Sequence, residues 1–141
     1  MNELMQAVSQ SETIAIGGHV RPDGDCIGSC MGLYSYIQDN FPGKKVTVYV
    51  EEIPSAFDYL SKEEAMTEQC GADQVYDLFV ALDCGDKERL GEAAGILEKA
   101  KATYCVDHHI TNTHFCQKEQ VEADASSTSQ ILYTLMEDEK I

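Results

Sequence analysis

The stretch Leu78-Phe-Val-Ala-Leu82, followed at once by Asp83-Cys-Gly-Asp86, decides the fold class. Five apolar residues in a row suit a strand covered on both faces, and a buried strand of that kind belongs to a parallel sheet. The same grammar repeats outward from it. Thr13-Ile-Ala-Ile16 reads as a strand ended by Gly17-Gly18. Ile27, Cys30, Met31, Tyr34 and Ile37 then follow the i, i+3, i+4, i+7 spacing of a helix, which Pro42-Gly43 stops. Gly28 and Gly32, one turn apart, are expected to let that helix approach the sheet closely. Lys45-Val-Thr-Val-Tyr-Val50 is a β-branched and aromatic strand. Ser61-Lys-Glu-Glu64 has the pattern of a capping box for a short helix. Leu90, Ala93, Ala94 and Leu97 mark a further helix, and Ala102-Thr-Tyr-Cys-Val106 a further strand. A last helix, starting near Ser126 or Ser127, carries Ile131, Leu132, Leu135 and Met136 on one face. Repeated βα units imply an α/β protein with a doubly wound, mainly parallel sheet and helices on both faces.

Composition narrows the partners. The 141 residues suit one domain, and 43% hydrophobic residues argue against wholesale disorder. No apolar run approaches the roughly 20 residues that span a bilayer, and Met1-Asn-Glu-Leu-Met-Gln has no signal-peptide pattern. Ten Lys plus Arg against 25 Asp plus Glu leave a net charge of −15. That charge speaks against long nucleic acid, which needs a basic footprint, and suits a collector of divalent cations. The six cysteines (26, 30, 70, 84, 105 and 116) form no C-x-x-C and are expected as reduced, mostly buried thiols. The chain reads as cytoplasmic.

Three of the expected strands end in metal-binding residue types: His19-Val-Arg-Pro-Asp23-Gly-Asp25, then Asp83, then Asp107-His108-His109. In open α/β sheets, ligands bind outside the carboxyl ends of the strands, so these groups converge if the strand order permits. An extended Asp23-Gly24-Asp25 is expected to present both carboxylates on one side. Clustered acids repel one another, and a cation offsets that repulsion. The mixed imidazole and carboxylate donors suit Mn²⁺ better than thiolate-loving ions. His19, Asp23, Asp25, Asp83 and His108 exceed one structural zinc and fit two ions, with Asp83 as the natural bridge. Taken singly, Asp-Gly-Asp is an ordinary turn and a histidine after a strand is an ordinary loop residue; the joint pattern carries the weight. Cys84 beside Asp83, and Cys26 with Cys30, are expected to be packing residues, and His114 a surface residue.

With these motifs in view, the sequence resembles the DHH phosphoesterase family, whose name matches Asp107-His108-His109. His19-x-Arg-Pro-Asp23-Gly-Asp25-x-x-Gly28-Ser29 looks like the family's first motif. Leu82-Asp83-Cys-Gly-Asp86 with Arg89-Leu-Gly91 looks like the second, and Val106-Asp107-His108-His109-Ile-Thr-Asn112 like the third. Ala125-Ser-Ser-Thr-Ser-Gln-Ile-Leu132 is similar to a stretch in the branch of oligoribonucleases that also dephosphorylate 3′-phosphoadenosine 5′-phosphate.

The resemblance implies one Mn²⁺ on His19, Asp23 and Asp83, and a second on Asp25, Asp83 and His108. It implies that Asp107 supports the site by hydrogen bonds and that His109 faces the scissile phosphate. It also implies hydrolysis of short oligoribonucleotides to nucleoside 5′-monophosphates, or of the bisphosphorylated nucleotide to AMP. Members of the branch run well past 300 residues and carry a fourth-motif aspartate and a C-terminal substrate-binding domain. Residues 1–141 are accordingly expected to be the N-terminal part of a DHH phosphoesterase domain, with the second metal position incomplete and turnover poor. Cyclic dinucleotide phosphodiesterases and family II inorganic pyrophosphatases share the His-x-x-x-Asp-x-Asp spacing, and a metal-binding fragment without turnover is the remaining alternative.

Overall fold

Parallel pairing of buried strands organises the chain, which a computed structural model describes over residues 2–50, 66–67 and 75–137. The elements in order are α1 (Glu3–Ser9), β1 (Thr13–Gly17), α2 (Gly24–Asn40), β2 (Lys45–Tyr49), β3 (Met66–Thr67) and β4 (Leu78–Leu82). A 3₁₀ turn (Lys87–Leu90), α3 (Ala93–Lys99), β5 (Ala102–Asp107), β6 (Lys118–Val121) and α4 (Thr128–Glu137) follow. The sheet runs β3-β2-β1-β4-β5-β6, and every adjacent pair is parallel. The chain therefore winds outward from β1 to one edge, returns to β4 beside β1, and winds to the other edge. Between β1 and β4 lies the switch point, where ligand crevices open in sheets of this kind.

Side-chain alternation divides the core into two layers. Ile14, Ile16, Leu78, Val80 and Leu82 face α1, α2 and α4, while Ala15, Phe79 and Ala81 face Ala93, Ile96 and Leu97 of α3. Helices thus cover both faces, as the apolar runs require. Full burial of side chains such as Ile16 and Leu82 stabilises by about 1.5–3 kcal/mol each.

Four expectations are corrected. Gly28 and Gly32 do not bring α2 onto the sheet: a Cβ at Gly28 would lie 3.8 Å from Ser129 Oγ, and one at Gly32 would meet nothing within 4 Å. The tight glycines are Gly17 and Gly18, where a Cβ would come within 2.5 Å of Phe79 Cζ and 2.2 Å of Cys26 Sγ. The helix expected around Leu90–Leu97 is broken at Gly91, whose φ of 67° only glycine adopts readily, into the 3₁₀ turn and α3. Asp23-Gly24-Asp25 is not an extended run, because Asp23 caps α2 and Asp25 already lies in its first turn. The last helix begins at Thr128, one or two residues later than expected. Three elements, α1, β3 and β6, are not anticipated by the sequence, and Ser61–Glu64 lies outside the described residues.

Candidate metal centre

The turn after β1 places His19 at the switch point, almost fully buried. Its Nδ1 lies 2.9 Å from the Val20 carbonyl oxygen, which can only accept, so Nδ1 carries the proton. The remaining nitrogen, Nε2, is 3.5 Å from Asp83 Oδ2 and 3.9 Å from Asp23 Oδ1. Asp83 holds His19 in its charged form, pushing its pKa up to about 9 against the opposing pull of burial. A cation taken up there displaces that proton.

Asp23 sits at the rim with its side chain 66% exposed, and its Oδ1 accepts the Cys26 N–H at 2.9 Å as the cap of α2. Asp25 turns inward instead. Its Oδ2 accepts the Thr128 N–H at 3.0 Å and its Oδ1 the Ser129 N–H at 2.9 Å, so it caps α4 from another helix. Burial alone would raise the Asp25 pKa; hydrogen bonds from Ser129 and Thr128, and His108 nearby, lower it overall. Oδ1 also lies 3.5 Å from the Ser29 hydroxyl, which donates to it, whereas Oδ2 retains a lone pair beyond its amide bond.

Asp83 is the centre of the arrangement. It follows β4 with a left-handed φ of 56°, and its N–H donates to the Val106 carbonyl at 3.0 Å. That uncommon turn points a carboxylate, 2% exposed, into the crevice between two imidazoles. One oxygen faces His19 Nε2; the other lies 3.3 Å from His108 Nε2 and accepts the Thr128 hydroxyl at 3.1 Å. His108 Nε2 is also 3.5 Å from Asp25 Oδ2. Asp107 ends β5 and serves another partner: its Oδ1 accepts from His109 Nδ1, and its Oδ2 accepts from Asn112 Nδ2 at 2.8 Å. His109 Nε2 thereby stays available on a half-exposed ring whose centroid lies 4.7 Å from that of His108, the two rings tilted by 34°.

All seven residues singled out from the sequence therefore meet at one end of the sheet. Among the described residues, two groups have one donor atom each within 4.8 Å of the others: His19 and Asp83 with Cys26, which is not one of the seven, and Asp83 with His108 and His109. Residues of this chemistry fit divalent cations, since a buried carboxylate aims separate oxygens at separate imidazoles.

Residues 13–141 match the family described as "DHH family, N-terminal domain". The chain belongs to the DHH family. A bifunctional oligoribonuclease and PAP phosphatase NrnA from Mycoplasma pneumoniae is 36% identical over 110 residues, 76% of this chain and 33% of that protein. The protein of the same name from Thermus thermophilus is 30% identical over 135 residues, 96% of this chain and 39% of that one. An exopolyphosphatase-related protein from Bacteroides fragilis shares the fold, with a TM-score of 0.83 at 23% identity over 96% of this chain and 42% of that one. The chain thus spans about a third to two fifths of the length of these relatives.

Within this DHH domain, Thr128, Ser129 and Asn112 are the site residues that sequence reasoning missed. A run of hydroxyls at a helix start signals a cap, but nothing local says that the capping partner lies about a hundred residues earlier. Cys84 is buried, with its thiol 3.0 Å from the Asp86 carbonyl and its pKa pushed up to about 12 by burial, as suits a packing residue rather than a nucleophile. Cys26, Cys30 and Cys105 are likewise buried and free, and His114 is exposed, paired with Glu119. No helix among the described residues is long and apolar enough to cross a membrane.

Proposed function

We propose that this chain is a metal-dependent phosphoesterase domain acting on short oligoribonucleotides and on 3′-phosphoadenosine 5′-phosphate. In this reading His19, Asp23 and Asp83 hold one Mn²⁺, and Asp25, Asp83 and His108 a second. The observation that carries it is the position of Asp83, a buried carboxylate with one imidazole against each oxygen. The names of the relatives supply the substrate class. Bound divalent cations supply Lewis acidity toward phosphoryl oxygens and make water more acidic.

The chain's own residues do the rest. Val20 fixes the His19 ring so that Nε2 presents its lone pair inward. Thr128 and the first amides of α4 hold Asp83 and Asp25 at fixed orientations and leave Oδ2 of each with a lone pair for a cation. Asp107 fixes the orientation and tautomer of the His109 ring. His109 Nε2 then faces the open side of the crevice, where it can exchange a proton with the attacking or leaving oxygen. The acidic surface disfavours long nucleic acid, which agrees with a small substrate.

Calorimetric Mn²⁺ titration, with turnover assays on a diribonucleotide, 3′-phosphoadenosine 5′-phosphate, pyrophosphate and a cyclic dinucleotide, tests the reading. Expected are Mn²⁺ binding lost in Asp83→Asn and turnover of the first two substrates. Turnover confined to pyrophosphate or the cyclic dinucleotide overturns the substrate assignment. Binding without any turnover reduces the function to cation binding, and absence of binding removes the metal reading altogether.

A further inference from the structure

The buried floor of the crevice contains a donor that the His-x-x-x-Asp-x-Asp spacing does not include. Cys26 lies in the first turn of α2, directly after Asp25, and is fully buried. Its Sγ, an imidazole nitrogen of His19 and a carboxylate oxygen of Asp83 all fall within 4.8 Å of one another. Donor atoms around a single transition ion at about 2.0–2.3 Å are separated by roughly 3–4.6 Å, so the set has the dimensions of a coordination sphere. A second observation fixes the thiol there. A Cβ at Gly18 would come 2.2 Å from Cys26 Sγ and 3.5 Å from the Leu82 carbonyl oxygen, so the sulfur rests against the carboxyl ends of β1 and β4, where His19 and Asp83 emerge. Asp23, by contrast, stands at the rim, 3.9 Å from His19 Nε2, and spends one oxygen on capping α2.

We propose that Cys26 is a sulfur ligand at the His19–Asp83 position, giving that position an N, O and S donor set that takes a borderline ion such as Co²⁺ or Zn²⁺ in preference to Mn²⁺. This rests on the reading that the crevice binds cations and adds which ion one half of it selects. On binding, the S–H proton passes to solvent and a metal–sulfur bond forms, with no change of oxidation state. Soft thiolate favours Zn²⁺ and Co²⁺, whereas an all-oxygen and imidazole set accommodates Mn²⁺. Among the described residues, the group at the other half of the crevice, Asp83, His108 and His109, includes no sulfur and keeps its preference for a harder ion.

The test is optical titration of the reduced full chain with Co²⁺, alongside Cys26→Ser, Cys26→Ala, Cys30→Ala and Asp83→Asn. Expected is a near-ultraviolet sulfur-to-cobalt charge-transfer band in the wild type and in Cys30→Ala, absent from both Cys26 variants. Cys26→Ser should weaken Co²⁺ by about tenfold or more while Mn²⁺ changes less. Visible cobalt absorption without the charge-transfer band in the wild type overturns the sulfur ligand and leaves the cation site standing. So does a band that survives in folded Cys26→Ala. If both Cys26 variants fail to fold, X-ray absorption of the cobalt-loaded wild type decides, since a shell lacking sulfur rejects the proposal and a sulfur neighbour lost in Asp83→Asn supports it. No cobalt absorption of either kind sinks the cation reading itself.

Discussion

Replacing Thr128 by valine removes one hydroxyl and little else. The side chain is completely buried, the two residues are nearly isosteric and both are β-branched, so packing and backbone preference at the start of α4 are conserved. What is lost is the 3.1 Å hydrogen bond from Oγ1 to Asp83 Oδ1. A hydrogen bond to a charged group contributes about 1.5–3 kcal/mol net. Asp83 keeps two imidazoles nearby, which places the expected loss near the lower bound, about 1.5 kcal/mol or roughly tenfold in the folding equilibrium. Urea unfolding in the presence of a chelator should show a lower midpoint at unchanged slope. Because the same hydroxyl orients a candidate cation ligand, Mn²⁺ affinity should fall by about 10–100-fold. Thr128→Ser, which restores the hydroxyl, should recover most of both quantities. A valine variant with wild-type midpoint and wild-type Mn²⁺ affinity would show that Thr128 does not hold Asp83, and the account of α4 as a support for the crevice would fall.

Further expectations concern neighbouring parts. Asn112→Leu leaves Asp107 Oδ2 without its buried donor and should cost about 1–3 kcal/mol in chemical denaturation, with a changed nitrogen chemical shift for His109. Gly18→Ala forces a Cβ against the Cys26 sulfur and should destabilise by about 1–3 kcal/mol, whereas Gly32→Ala, in open space within α2, should stabilise by about 0.5–1 kcal/mol. A melt of each variant separates the two. Asp77 accepts the Glu12 and Thr13 amides and pairs with Lys101, which lowers its pKa. Its contribution is therefore present above the ordinary carboxylate value of about 4 and is lost as pH falls through the lower folded value. Asp77→Asn should reduce the melting temperature at neutral pH and have a vanishing effect in strong acid.

The strands were legible because continuous apolar runs have few alternative homes, and Ile14–Ile16, Leu78–Leu82 and Thr103–Val106 all found buried sheet positions. His19, Asp83 and Asp107-His108 were legible because polar residues abut those runs at their carboxyl ends. Strand order was not, since a sequence of βα units is compatible with several windings until the switch point is seen. Asp25 was recognised as an acid of the site but not as a cap, because its partners are 103 and 104 residues away and leave no local spacing. Asp23-Gly24-Asp25 reads as an extended run because glycine allows close backbone approach to a ligand, while the capping tendency of aspartate has the stronger claim and starts α2 there. The polar edge strand Lys118–Val121 has too little hydrophobic alternation to announce itself, and α1 is only seven residues long.

The bonds from Asp25 to α4 bear on the order in which the molecule comes into being. Asp25 meets Thr128 and Ser129, Ser29 meets Ser129, and Asn2 reaches the Leu135 carbonyl, 133 residues away. Contacts of such long range must overcome loop-closure entropy before they contribute, and they form late. A chain emerging from the ribosome can pair β1 with β2 well before α4 has been made, and through that interval Asp25 and Asp83 have neither the amides nor the hydroxyl that orient them. Assembly of the crevice thus waits on α4, so the acids acquire their final arrangement only once the chain through Thr128 and Ser129 is in place.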